Sequence, residues 1–275
     1  MTTERMAART AHWLRNLWTT DRPAAPDVLH EMVALAALCA ALTEEAEPLA
    51  AEVTRGATPL DFTKPELATA LVSAVAVLRR GTTSTSSQAL DYLQLMDEIV
   101  PRPPITSSDV LARAAIDGVA DGDEECRLHL DCAQLRTGNE NALRALLAEI
   151  ESKTRFGTRR AIVSEPFPQL LEGAALHALS RYDLSLGMRA LRAAAYLGRI
   201  SPAGAEFIRR AERDDGSFGD LDAALKKIEM SSAPEHTPLR LLLPIAFQSL
   251  WTLAELDTAA PFGLVTVLFG AAVPC

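Results

Sequence analysis

Apolar residues recur at helical spacing along nearly the whole chain, and no stretch alternates in the way a half-buried strand would. Between Glu4 and Trp18 they fall at Met6, Ala7, Trp13, Leu14 and Leu17, one face of a helix that Asp21–Pro26 brings to an end. Asp27 is placed to cap a second helix, whose apolar run Val28, Met32, Val33, Leu35, Ala36, Leu38 and Cys39 continues to about Leu49. Lys64–Arg80 is a third, with Gly81 at its C-cap. Gln88–Val100 is a fourth, closed by Pro101, Pro103 and Pro104. Ser107 or Ser108 starts a helix through Ala120, and the acidic turn Asp121–Glu125 suits the start of the next, Cys126–Arg136.

Asn139 caps Glu140–Lys153, and a basic loop follows with Arg155, Arg159 and Arg160. Glu165–Tyr182 and Leu184–Leu197 come next, with Asp183 between them as a cap. Ser201-Pro202 puts serine at the N-cap and proline at the first position of Pro202–Arg213. Asp220–Met230, His236–Leu256 and Phe262–Phe269 complete the series. Helices joined by short turns pack as antiparallel hairpins. The expectation is therefore an all-α protein, a single domain over residues 1–275.

Composition agrees with that pattern. Nearly half of the 275 residues are apolar, only 5% are aromatic, and Ala, Leu and Arg dominate. The net charge of −9 opposes nucleic-acid binding, which needs a basic face. The start Met-Thr-Thr-Glu-Arg lacks the basic and apolar regions of a secretion signal, and the apolar stretches Leu239–Leu256 and Pro261–Cys275 read as buried helices. These features predict a cytoplasmic protein with no membrane insertion and reduced cysteines.

Phe207-Ile-Arg-Arg-Ala-Glu-Arg-Asp-Asp-Gly-Ser-Phe-Gly219 resembles the repeat of α/α-toroid proteins, the terpenoid cyclases and protein prenyltransferase β subunits, in which a helix ends at an Asp-Gly-Ser-Phe-Gly turn. Leu176-His177-Ala-Leu-Ser-Arg-Tyr182-Asp183-Leu-Ser-Leu-Gly187, with His236-Thr237 opening a helix that runs to Ser249-Leu-Trp251, is similar to an uncharacterised actinobacterial family of that fold. The resemblance covers roughly Glu165–Glu255. It implies a toroid of about six helical hairpins around a central cavity, in bacterial specialised metabolism. The residues depart from the known enzymes. Asp121-Gly122-Asp123-Glu124 is the nearest approach to the Asp-x-Asp-Asp acid of one cyclase class, and it lies where a capping role suffices. Few aromatic rings are present to line a carbocation pocket.

Candidate chemistry follows from the polar residues in these helices. His177 shares a face with Gly173, Ala174 and Arg181, and His236 opens a helix whose dipole favours neutral imidazole. Either can exchange protons near neutral pH, with Glu172 or Asp183 orienting it. Both histidines equally suit structural roles, and Asp183 suits a cap. Tyr182, Arg181, Asp215 and Trp251 are the accompanying substrate-binding candidates. Cys126, His129 and Cys132 share one face of an expected helix, where they could hold zinc or pack as small core groups. The cluster Lys153, Arg155, Arg159 and Arg160 reads as cations at a helix C-terminus, or as a phosphate site.

Together these features predict a small-molecule-binding protein, a cofactor-independent acid–base cyclase, isomerase or lyase. One alternative is a non-catalytic helical protein that binds a peptide, a partner protein or a second copy of itself. A zinc-dependent transferase is the other.

Overall fold

The computed structural model describes residues 1–20, 25–57, 126–128, 132, 135, 139–157, 159, 161–219 and 237–257. Helices dominate them: α1 (Thr3–Thr20), α2 (Pro26–Leu42), α3 (Glu47–Gly56), α4 (Glu140–Thr154), α5 (Phe167–Ser180), α6 (Leu184–Tyr196), α7 (Pro202–Arg210) and α8 (Thr237–Asp257). The only sheet among the described residues pairs β1 (Cys126–Arg127) in parallel with β2 (Ala161–Ile162). The expected helices over Lys64–Arg80, Gln88–Val100, Asp220–Met230 and Phe262–Phe269 lie outside the described residues, as do the one ending at Ala120 and the turn Asp121–Glu125. The chain divides into two compact units, Met1–Ile116 with Ala211–Leu250, and Asp117–Arg210 with Trp251–Cys275.

In the first unit α1 is amphipathic and buries Met6, Ala7, Thr10, Ala11, Trp13, Leu14 and Trp18 against α2 and α3. Trp18 Nε1 donates to Glu52 Oε1 at 3.2 Å, tying α1 to α3. From Val28 to Cys39 nearly every side chain of α2 is buried, as its almost unbroken apolar sequence requires. This helix does not reach Leu49 as the apolar run suggests. It stops at Leu42, a 3-10 turn spans Glu44–Ala46, and α3 begins at Glu47. Pro48 is the cause: it has no N–H, and its ring would meet the carbonyl four residues back in a continuous helix. The start differs as well. Pro26 occupies the first turn, and the N-cap is Ala25 rather than Asp27.

The Asp-Gly-Ser-Phe-Gly segment also belongs to this unit. It is a tight hairpin in which Glu212 and Phe218 form an antiparallel bridge. Arg213 N donates to Ser217 O at 2.9 Å, and Gly219 N to Ala211 O at 3.0 Å. The hairpin displaces the last turn expected of Pro202–Arg213, so α7 ends at Arg210. α1 holds it in place. Arg9 donates to the carbonyls of Arg213 and Asp214 at 3.0 and 2.9 Å and pairs with Glu212 at 3.1 Å, while Thr10 Oγ1 donates to Gly216 O at 2.9 Å. Phe218 is fully buried.

In the second unit α5 and α6 form a close antiparallel hairpin, with α4 against α6 and α7 against α5. Its caps follow the sequence reading. Asn139 Oδ1 accepts from the amides of Asn141 and Ala142, Asp183 Oδ1 from Leu186 N, and Ser201 Oγ from Gly204 N. β1 replaces the start of the helix expected over Cys126–Arg136, and Leu128 N extends the pairing to Ile162 O. Among the described residues one stretch, Leu239–Asp257, is long and apolar enough to cross a membrane, and most of it is buried inside the protein.

Gly216 has φ of +88°, and a Cβ there would lie 2.5 Å from Arg9 O. Gly216→Ala should therefore cost about 1–3 kcal/mol in urea unfolding, from left-handed strain and contact with α1. Stability equal to the parent protein would show that the hairpin is not pinned on α1.

Candidate functional site

The core of the second unit contains a cluster of charged and polar groups. It draws on the end of α4, one face of α6 and the last two turns of α8. On α6, Arg189, Arg192 and Tyr196 follow at spacings of three and four, so they share a face. On α8, Trp251, Thr252 and Glu255 are likewise within one turn of each other.

Glu151 of α4 is buried and takes a two-pronged contact from Arg189, Nε to Oε1 at 2.7 Å and Nη2 to Oε2 at 2.5 Å. Burial opposes the Arg189 charge, but the hydrogen bonds and charge of Glu151 outweigh it and raise the guanidinium pKa. Arg192 is 3% exposed. Its Nη1 donates to Thr252 Oγ1 at 2.9 Å, and its guanidinium lies 5.6 Å from the Trp251 ring centre. The indole Nε1–H of Trp251 donates to Glu255 Oε1 at 3.1 Å, and Glu255 is itself buried. Phe156 flanks the indole, with ring centres 6.3 Å apart.

Tyr196 completes the cluster. Its hydroxyl is buried and has no hydrogen-bond partner. Burial pushes its pKa well above 10, Glu255 and Glu151 push the same way, and Arg192 and the Trp251 indole oppose them. The single proton on that indole nitrogen is already directed at Glu255. Tyr196 thus stays protonated at neutral pH, a donor with nothing to donate to.

A strained turn closes the cluster. Arg155, Phe156 and Gly157 take successive positive φ angles of 47°, 53° and 84°. Arg155 N bonds back to Ser152 O at 3.2 Å and Phe156 N to Glu151 O at 2.8 Å, which places the Phe156 ring inward. A Cβ on Gly157 would lie 2.5 Å from the Tyr196 ring. Two left-handed non-glycine residues in a row are costly and persist only where surrounding packing enforces them.

The residues singled out from sequence are dispersed. His177 is exposed, as are Gly173 and Arg181, because the buried stripe of α5 runs through Phe167, Leu171, Ala175, Ala178 and Leu179. The face expected to line a cavity is thus turned to solvent. Glu172 pairs with Arg199 at 2.6 Å. Burial raises its pKa, but hydrogen bonds from Ser201 and Arg199, and the Arg199 charge, outweigh this and lower it. Asp183 is the N-cap of α6. Tyr182 is 65% exposed in the left-handed region, φ +59°, with Phe207 6.4 Å away. Asp215 accepts from the amide and hydroxyl of Ser217 at 2.9 and 2.6 Å. Trp251 alone belongs to the buried cluster. His236 lies outside the described residues.

Among the zinc candidates, Cys126 is in β1, not on a helix, so the shared helical face does not extend to it. Cys132 is half-buried, and His129 lies outside the described residues. No group of three metal-ligating side chains comes together among the described residues. In the basic loop, Lys153 is exposed while Arg155 and Arg159 are half-buried; Arg160 lies outside the described residues. No protein-family model, curated protein or solved structure matches the chain.

The sequence reading missed Glu151, Arg189, Arg192, Tyr196, Thr252 and Glu255. A signal was present: Arg189 and Arg192 interrupt a mostly apolar helix at i, i+3, and Glu255 is the one acidic residue in the Leu239–Leu256 stretch.

Two outcomes follow from these environments. Tyr196→Phe removes a buried hydroxyl that has no partner, so it should raise stability by about 1 kcal/mol in chemical denaturation; a loss of stability would mean that the hydroxyl is satisfied. Glu172→Gln should cost roughly 0.5–1 kcal/mol at pH 7. The native pKa of Glu172 is lowered, so its contribution is present above the ordinary value of 4.5 and fades as pH falls through the native one. Thermal melts should show the two proteins converging as pH falls well below 4.5, and a gap that stays constant with pH would refute the assignment.

Proposed function

We propose that this chain binds a small organic molecule in the core of its second unit and acts on it by acid–base chemistry, without an organic cofactor. The reading is carried by the buried, unpartnered hydroxyl of Tyr196, in a core where Glu255, Glu151 and Arg192 act on it electrostatically. Unsatisfied polar groups are rare in protein cores and concentrate where a ligand supplies the missing partner. Tyr196 would donate to an oxygen of the ligand, and Glu255 would accept the proton released. His177, exposed on α5, is not the group this reading relies on. The toroid arrangement and a place in bacterial specialised metabolism rest on the Asp-Asp-Gly-Ser-Phe-Gly resemblance.

A second reading, a helical protein that docks a peptide or partner protein, is favoured by Tyr182, an exposed aromatic held in a strained backbone next to Phe207.

A thermal-shift screen against a diverse library of small polar organic compounds separates the two. Compounds at about 100 times their Kd should stabilise the parent protein by roughly 2.7 kcal/mol, and the same compounds should leave Tyr196→Phe unshifted. A screen with no stabilising compound, or with equal shifts in both proteins, removes the Tyr196 site; loss of partner binding in Tyr182→Gly would then support the second reading.

A further inference from the structure

We infer that the second unit's core is built to receive a carboxylate, held by the Arg192 guanidinium and the Tyr196 hydroxyl, on a ligand whose apolar part lies against Trp251 and Phe156. This rests on the reading that this core takes a small molecule, and it names the ligand's chemical class.

The charge arrangement carries it. Of the two arginines on this face of α6, Arg189 is matched by Glu151 through two hydrogen bonds. Arg192 is the more buried, and among the described residues no carboxylate lies within ion-pair distance of it. Its described partners are a neutral hydroxyl and the face of an indole. A guanidinium presents five donors in a planar fork, and one of them is used here. A buried guanidinium with unused donors is costly, and the contact with the Trp251 face offsets only part of that. Glu255 is directed at the Trp251 indole.

One acceptor would therefore satisfy the unused donors of the guanidinium and the phenol together. Both are on α6, four residues apart, where side chains meet on one face. A planar, singly charged carboxylate suits these few donors, since its two oxygens can take the fork and the phenol. A phosphate dianion would need more positive charge than a core that also holds Glu151 and Glu255. Trp251 and Phe156 supply an aromatic wall beside the fork, which favours an aryl or other apolar substituent.

Benzoate and its neutral isostere benzamide test this on the full-length protein. The probe is the indole N–H signal of Trp251 in nitrogen-15 spectra, identified as the one of three tryptophan signals that Trp251→Phe removes. Benzoate should shift that signal saturably in the millimolar range, and benzamide should bind at least ten times more weakly. Arg192→Gln should abolish the preference. Should it not fold, Arg192→Lys keeps the charge without the fork and should weaken benzoate several-fold, as should Tyr196→Phe. Equal shifts by benzamide would overturn the carboxylate assignment and leave the small-molecule reading standing. Silence from both ligands overturns the assignment, and inorganic phosphate moving the signal in preference to benzoate does the same. Compounds that stabilise the parent protein but not Tyr196→Phe would still uphold the broader reading.

Discussion

Taking a guanidinium out of water is among the most expensive acts in folding, and the second unit's core contains Arg192 at 3% exposure. Two neighbours in that core bear on this cost directly. Thr252 turns its hydroxyl oxygen to the guanidinium, and Trp251 offers its electron-rich face. Glu255 takes the indole proton, and Glu151 absorbs the second arginine of the helix. Such an arrangement is poor at stabilising a protein compared with aliphatic side chains of the same volume.

Both units bury charged side chains. In the first unit α2 is mostly Val, Met, Leu, Ala and Cys, with His30 and Glu31 buried beside each other at 3.4 Å, and burial drives the Cys39 thiol far above its usual acidity range. Other polar contacts of that unit hold the Asp-Gly-Ser-Phe-Gly hairpin to α1. Opposing environments act on two carboxylates of that hairpin. Burial raises the pKa of Glu212 against the pull of Arg9, the amino terminus and Arg5, whereas Ser217 and Arg213 hold Asp215 low despite its own desolvation. Neither needs a reactive role to explain its state.

Helices and caps were legible in the sequence because they depend on neighbours a few residues apart. Asn139, Asp183 and Ser201 each cap the helix that spacing assigned to them. Boundaries failed where a local breaker was overlooked, at Pro48, or where a hairpin absorbed a helical turn, at Ala211–Gly219. The two short strands could not be foreseen, since Cys126–Arg127 acquires its partner 35 positions away from the fold, not from its own pattern. The candidate site was hidden for a related reason. Histidine draws attention for its chemistry, but which histidine faces a core depends on the buried stripe of its helix, and on α5 that stripe passes His177 by. Arg192, Tyr196 and Glu255 look ordinary one at a time and become unusual only once their shared burial is known.

The turn at Arg155–Gly157 limits how this protein can vary. Two side chains there already occupy backbone that suits glycine or asparagine, and the third position has a phenol ring where a methyl group would go. Drift at 155 is open to residues that tolerate left-handed backbone, while 157 admits glycine alone so long as the ring beside it stays. Helical repeats of Ala and Leu arise easily and say little about descent. A glycine locked against one particular aromatic ring is a far better token of kinship, and it is the place to look when sorting true cousins from chance lookalikes.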